Sequence, residues 1–164
     1  MSEPLTFMMG KFAAELPADR RYARNHMWCL VVPPPHPQPL SPGGERGECL
    51  LRFGFTTYAV RLMQDVYFLD WEVAAGDALA LKQKVGHIET SKAMSDLFAP
   101  IAGTLARFNA DLLNDPSAIN VDMYGNGWLF EILGSDAEML TVQQYHDFLA
   151  AGWEKTQNML KGHM

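Results

Sequence analysis

The chain has 164 residues, 48% of them hydrophobic and 20% charged, with a formal net charge of −6. That make-up belongs to one soluble globular domain with its own core. It excludes a membrane span, for want of a long apolar run, and disfavours nucleic acid, whose phosphates need clustered Lys and Arg.

The start, "MSEPLTFMMGKFAAELP", is acidic early and has no signal-like apolar region, which predicts a cytoplasmic protein. Residues 1–20 have mixed periodicity, read as partial disorder with a helical turn around 12–16. "NHMWCLVV" (25–32) is a β-branched and aromatic run and predicts a strand. "PPPHPQPLSPGGERG" (33–47) lacks amide donors and favours turns, so it predicts an exposed insertion at a hairpin tip. "ECLLRFGF" (48–55) resumes the strand, and Thr56 then caps a short helix in "TTYAVRLM". "DVYFLDWEV" is a further strand, followed by a turn in "AAGDAL".

"LALKQKVGHIET" predicts strand, an interruption at Gly86, and strand again. "IAGTLARFN" predicts a strand from Ile101 that Gly103 can bend. "ADLLNDPSAIN" carries helix and turn signals, with Pro116 suited to a first helical turn. "MYGNGWLFEIL" offers a turn and then a strand from Trp128. From Ser135 onward the spacing predicts a helix, covering 136–160, with Met139, Val142, Tyr145, Phe148 and Leu149 facing the core. Gly152 is its weak point. The sum is a mostly-β domain over 16–164, with short helices, a C-terminal helix and a 1–15 extension.

"GHIETSKAMSDLFAP" (86–100) raises the question of function. Its one lysine, Lys92, sits between Ser91 and Ala93, bracketed by Ile88, Leu97 and Phe98. A solvating charge is the simplest account of an exposed lysine. A Schiff-base lysine needs a desolvated pocket, and Ser91, Ser95 and Asp96 make these surroundings polar. A lysine presented for covalent modification remains. Glu89 and Asp96 either flank it as recognition carboxylates or solvate the hairpin.

"ETSKAMSDLFAP" resembles the lipoyl-lysine segment of the glycine cleavage system H proteins. "LPADRRYARNHMW" is similar to that family's N-terminal stretch, with Tyr22, His26 and Trp28 in its Tyr and His-x-Trp positions. "FGFTTYAVRLMQDVYFLD" is similar to its Gly-Ile-Thr segment. "NDPSAINVDMYGNGWLFEI" resembles its Asn-x-x-Pro-x-x-x-Asn and Tyr-Gly-x-Gly-Trp signatures. These matches run in order over residues 16–150. Biotinyl carriers place methionines on both sides of the lysine, whereas Lys92 has Ser91 and Ala93. The insertion at 33–47 departs from the family pattern, as does Ser91, where valine or threonine is commoner.

The resemblance implies a flattened β-barrel or β-sandwich, a barrel-sandwich hybrid like the lipoyl domains, with Lys92 at a hairpin tip. It implies lipoate joined to Lys92, with Glu89, Ser91, Ala93 and Asp96 as flanking recognition residues. It also implies a monomeric, non-catalytic carrier. Its arm collects an aminomethyl unit at glycine decarboxylase, presents it to the aminomethyltransferase, and is reoxidised by dihydrolipoyl dehydrogenase. A lipoate ligase or lipoyl transferase would install the group. Two alternatives stand beside it: an H-like carrier of another lipoate pathway, such as sulfur oxidation, and an unmodified interaction module of the same fold.

The other candidates are weak. His26, His36, His87, His146 and His163 show no metal-ligand spacing with Cys or carboxylates. His26 beside Trp28 is read as a packed structural histidine. Gly125 and Gly127 form a turn rather than a dinucleotide loop, and Ser41, Ser91, Ser95 and Ser135 lack a triad context. Cys29 and Cys49 have no CxxC spacing. They are expected as reduced thiols, with a bridge across the Pro-rich segment as the alternative.

Overall fold

Burial alternates along the first two strands of this chain, as half-buried sheets require, and less regularly along the later ones. The computed structural model describes residues 4–32 and 49–162, with side chains as far as residue 157. The expected insertion at 33–47 lies outside the described residues. A hairpin of β1 (Leu5–Met9) and β2 (Phe12–Leu16) opens the chain. Strands β3 (Arg21–Tyr22), β4 (Met27–Val31) and β5 (Cys49–Phe55) lead into helix α1 (Thr57–Met63). Then come β6 (Val66–Trp71), β7 (Ala78–Leu79), β8 (Lys84–Thr90), β9 (Met94–Phe98) and β10 (Gly103–Phe108). Short helices α2 (Asp111–Asn114) and α3 (Ala118–Val121) precede β11 (Phe130–Gly134) and the long helix α4 (Val142–Gly162).

The strands pair antiparallel in a sheet of order β3-β4-β5-β11-β10-β7 and a smaller one of order β6-β8-β9. One core lies between them. The larger sheet contributes Phe53, Leu105, Phe130 and Ile132, and the smaller one Val66, Leu69, Ile88 and Leu97. Among the described residues the sheets do not close into a ring, so the architecture is a barrel-sandwich in its sandwich form.

A second core covers the outer side of β4. Phe7, Leu16, Tyr22, Trp28, Tyr58, Tyr145 and Leu149 gather there between the first hairpin and α4. Tyr22 stacks on Tyr145 with ring centroids 4.7 Å apart. The Trp28 indole lies flat across Gly54, where any Cβ would collide with it.

Several expectations are corrected. Residues 12–16 form a strand, not a helical turn. Ala and Glu favour helix locally, but pairing of Met9 with Phe12 and burial of Ala14 and Leu16 prevail. The C-terminal helix starts at Val142 rather than near Ser135, because Leu140 is held in a backbone bridge to Tyr22. Thr141 and Gln144 then cap the helix reciprocally, side chain to backbone at 3.2 and 2.9 Å. Of the residues expected to face the core, Tyr145 and Leu149 are buried while Phe148 stays exposed. Gly152 lies within the helix without breaking it.

The break expected at Gly86 falls earlier, after β7; Gly86 sits inside β8 at a bulge, where a Cβ would strike the Asp70 carbonyl. The strand expected from Ile101 begins at Gly103. Cys29 is registered against Phe53 and Cys49 against Gly134, so the two are not cross-strand partners.

Candidate functional site

Lys92 occupies the turn that joins β8 to β9. Register pairs Glu89 with Met94, and the Thr90 amide donates to the Ala93 carbonyl at 2.9 Å. Ser91 and Lys92 therefore form a two-residue loop. Such loops normally need positive φ at one or both positions, yet neither residue adopts it. The Thr90 hydroxyl compensates. It accepts from the Lys92 and Ala93 amides at 3.2 and 3.3 Å and donates to the Ala93 carbonyl at 3.1 Å. One side chain thus satisfies the turn's polar backbone.

A chain of contacts ties this turn to the body. The Ser91 amide donates to the Asp65 carbonyl at 2.9 Å. Asn120 of α3 grips the segment on either side of Asp65: its carbonyl accepts from the Val66 amide at 3.0 Å, and its amide donates to the Gln64 carbonyl at 2.6 Å. Gln64 itself holds φ +64°, a left-handed conformation that a non-glycine residue keeps only when its surroundings enforce it. Thr90 and Asn120 are positioning residues that sequence reasoning assigned no role. For Thr90 a local signal existed, a threonine two residues before the lysine. Asn120 closes the Asn…Pro…Asn signature, but its partners lie more than fifty residues away and no local pattern names them.

The Lys92 side chain is exposed and, among the described residues, has neither ion pair nor hydrogen bond. Ser91 and Ala93 flank it, exposed and small. Glu89 and Asp96 are brought onto the same outer face of the small sheet but not to the tip together. Glu89 stands between Phe68 and Met94 in register, and Asp96 lies one row further from the turn, opposite His87. The Asp96 carboxylate is already engaged by Lys84 at 3.3 Å, which also reaches Glu72 at 3.2 Å. Those two carboxylates hold the Lys84 ammonium above the ordinary lysine range. Acylation of an amine needs an accessible, unengaged nitrogen with room beside it. Lys92 meets that requirement and Lys84 does not.

Known proteins resemble this chain over most of its length. The family model "Glycine cleavage H-protein" matches residues 45–151. The probable glycine cleavage system H protein of Natronomonas pharaonis is 34% identical over 139 residues, covering 83% of this chain and 98% of that protein. The chain belongs to the glycine cleavage H-protein family. The H protein of Laribacter hongkongensis is 32% identical, covering 87% of this chain and 97% of its own length. The crystal structure of the H protein from Mycobacterium marinum is similar with a TM-score of 0.64 at 28% identity, covering 84% of this chain and 98% of that one.

Within this H-protein frame the other signature residues bind the structure together. Tyr124 donates to the Glu15 carbonyl at 2.7 Å and accepts from the Thr57 amide at 2.9 Å, joining β2 to α1. Trp128 carries the guanidinium groups of Arg52 and Arg107 over its ring, and both arginines clamp the fully buried Glu131 carboxylate. His26 is packed as expected. Its Nδ1 lies 2.9 Å from the Tyr145 hydroxyl, which lies 3.0 Å from the Thr56 hydroxyl. Burial pushes the His26 imidazole down to about 4, so it is neutral at physiological pH.

Proposed function

We propose that this chain is the lipoyl carrier of the glycine cleavage system, with lipoate joined by an amide to the Lys92 amine. The observation that carries the reading is the Lys92 turn: an unengaged amine at a hairpin tip, between two small residues, on backbone fixed by Thr90 and Asn120. H proteins are carriers rather than catalysts and work with the other glycine cleavage enzymes. When bound, the lipoyl group supplies a reversible disulfide and a long tether for the aminomethyl unit.

The protein's own work is presentation. The firm turn confines the attachment point, and tethering raises the effective concentration of the arm at each partner. Ser91 and Ala93 leave room for an enzyme to approach the amine. Glu89 and Asp96 supply negative charge for recognition. Glycine decarboxylase, the aminomethyltransferase and dihydrolipoyl dehydrogenase are the proposed partners in turnover, and a lipoate ligase or lipoyl transferase installs the group. The test is reconstitution of the lipoylated protein with those enzymes. Exchange of bicarbonate into glycine is expected. A fully lipoylated protein that the reductase oxidises while the decarboxylase ignores it would contradict the glycine cleavage role.

A further inference from the structure

The small sheet that carries Lys92 has an outer face that no described residue covers. At the tip-proximal end of β6 a bulge inserts Tyr67 between Val66, registered with Thr90, and Phe68, registered with Glu89. A bulge breaks the in-out alternation and re-aims side chains. Here it turns two consecutive aromatic residues to solvent, Tyr67 at 65% and Phe68 at 47% exposure. Across the sheet in the same row stands Met94, 62% exposed and immediately past the turn. Three large apolar groups thus ring the base of the Lys92 turn. Single exposed apolar residues are ordinary; three on one small face, with Glu89 between Phe68 and Met94, point to an interaction site.

The charges of the face are one-sided. Asp70, Glu89 and Asp96 alternate with the apolar groups, and Glu72 lies beyond them. Against these four carboxylates stand Lys84, held by Glu72 and Asp96, and Lys92 itself at the tip. An apolar patch with an acidic surround complements a surface that offers an apolar groove flanked by Lys or Arg.

We propose that the Tyr67–Phe68–Met94 patch, with Glu89 at its centre, is the docking surface for the enzyme that acylates Lys92, and that this enzyme presents a basic-rimmed apolar groove to it. The inference rests on the carrier reading. The choice of partner follows from reach. Before acylation the amine hangs on a four-carbon stem, so the acylating enzyme must close on the turn and cover what surrounds it. An enzyme that meets the finished arm can reach its far end without covering the turn, because a flexible tether sets only the greatest separation. Met94 serves this contact through an unbranched, adaptable side chain.

The experiment is acylation of the apo-protein by a lipoate ligase with lipoate and ATP, followed by intact mass. It compares wild type with Tyr67→Ser, Phe68→Ser and Met94→Ser, singly and together, and with the remote exposed-apolar control Met8→Ser. Melting temperatures check folding, and the milder Phe68→Thr suits the strand should the serine variants fold poorly. The triple variant is expected to lose tenfold or more in kcat/KM through KM, with Met8→Ser unchanged and Glu89→Lys slower than Glu89→Gln. A folded triple variant acylated at the wild-type rate would overturn the proposal while leaving the carrier reading intact. The same rate with slowed turnover by dihydrolipoyl dehydrogenase would assign the face to a later partner and also overturn it. Loss of a concentration-dependent dimer with acylation unaltered would make it a self-association face. No adduct on wild type would instead remove the carrier reading itself.

Discussion

Among the described residues, tight turns carry the exposed lysines Lys11, Lys82 and Lys92, and the last two differ in a way that bears on a carrier. Lys82 lies in the turn after β7, and Lys92 in the turn after β8. Each turn is closed by a side chain: the Gln83 carbonyl accepts from the Ala80 amide at 2.9 Å, and Thr90 does the same service for Lys92. The difference lies in attachment. The Lys82 amide donates to Ala99 at 2.9 Å and the Ala99 amide returns to Gln83 at 2.8 Å, so that turn is stitched along its length against the strand end beyond β9. Lys82 also holds φ +69° and lines a concave pocket with Asn25, Phe98 and Pro100. Among the described residues, the Lys92 loop is tied to the body only through Ser91 to Asp65. Exposure is common to both lysines; attachment through a single point is not.

The largest stability effect that sharpens this comparison belongs to the body holding both turns. His26 has its pKa lowered from 6.5 to about 4 by burial, so the unfolded chain binds the proton more readily. Its contribution is fully present above the unfolded value and is lost as pH falls from 6.5 toward 4, on the order of 3 kcal/mol in all. Urea melts of wild type and His26→Asn across that window should show the slope disappear in the variant. A slope that survives would place the titration elsewhere.

Next comes the base of the Lys92 turn. Asn120→Ala leaves the Val66 amide and Gln64 carbonyl without their partner, and should cost about 2 kcal/mol. It should also slow acylation at Lys92, since the segment that holds Ser91 is released. Equal loss of stability with an unchanged acylation rate would show that the turn needs no such base.

Thr90→Val is a smaller change, about 1 kcal/mol, because the hydrogen bonds it removes are solvent-exposed. Backbone amide exchange at Lys92 and Ala93 should rise in this variant and stay unchanged in the Lys82 turn. At the small end, Lys82→Gly should raise stability by roughly 0.5 kcal/mol, the relieved left-handed strain less the chain entropy that glycine adds. A loss instead would mean the Lys82 side chain makes a contact that matters.

What could be read from the sequence follows from what is local. β4, β5 and β6 were legible because β-branched and aromatic residues fill a half-buried pleat, and α1 because Thr56 stands at its N-cap, accepting from the Ala59 amide at 3.2 Å. The exposed position of Lys92 between two strands was legible from its small neighbours and the apolar residues around them. The first hairpin was missed because Phe12 to Leu16 carries helix-forming residues, although Gly10, at φ +65°, opens its two-residue loop as such loops require. The start of α4 was misplaced even though Thr141 and Gln144 spell a capping box, because hydrophobic spacing continues upstream of it. The grip of Asn120 and the bulge at Tyr67 depend on which strands lie side by side, and no local pattern encodes that.

The most direct measurement is peptide mapping of the lipoyl adduct after reaction of the apo-protein with lipoate, ATP and a ligase, on wild type, Lys92→Arg and Lys82→Arg. The account predicts one adduct, on the peptide containing Lys92, retained in Lys82→Arg and abolished in Lys92→Arg. An adduct on Lys82, or none on wild type under conditions that modify another H protein, would contradict it.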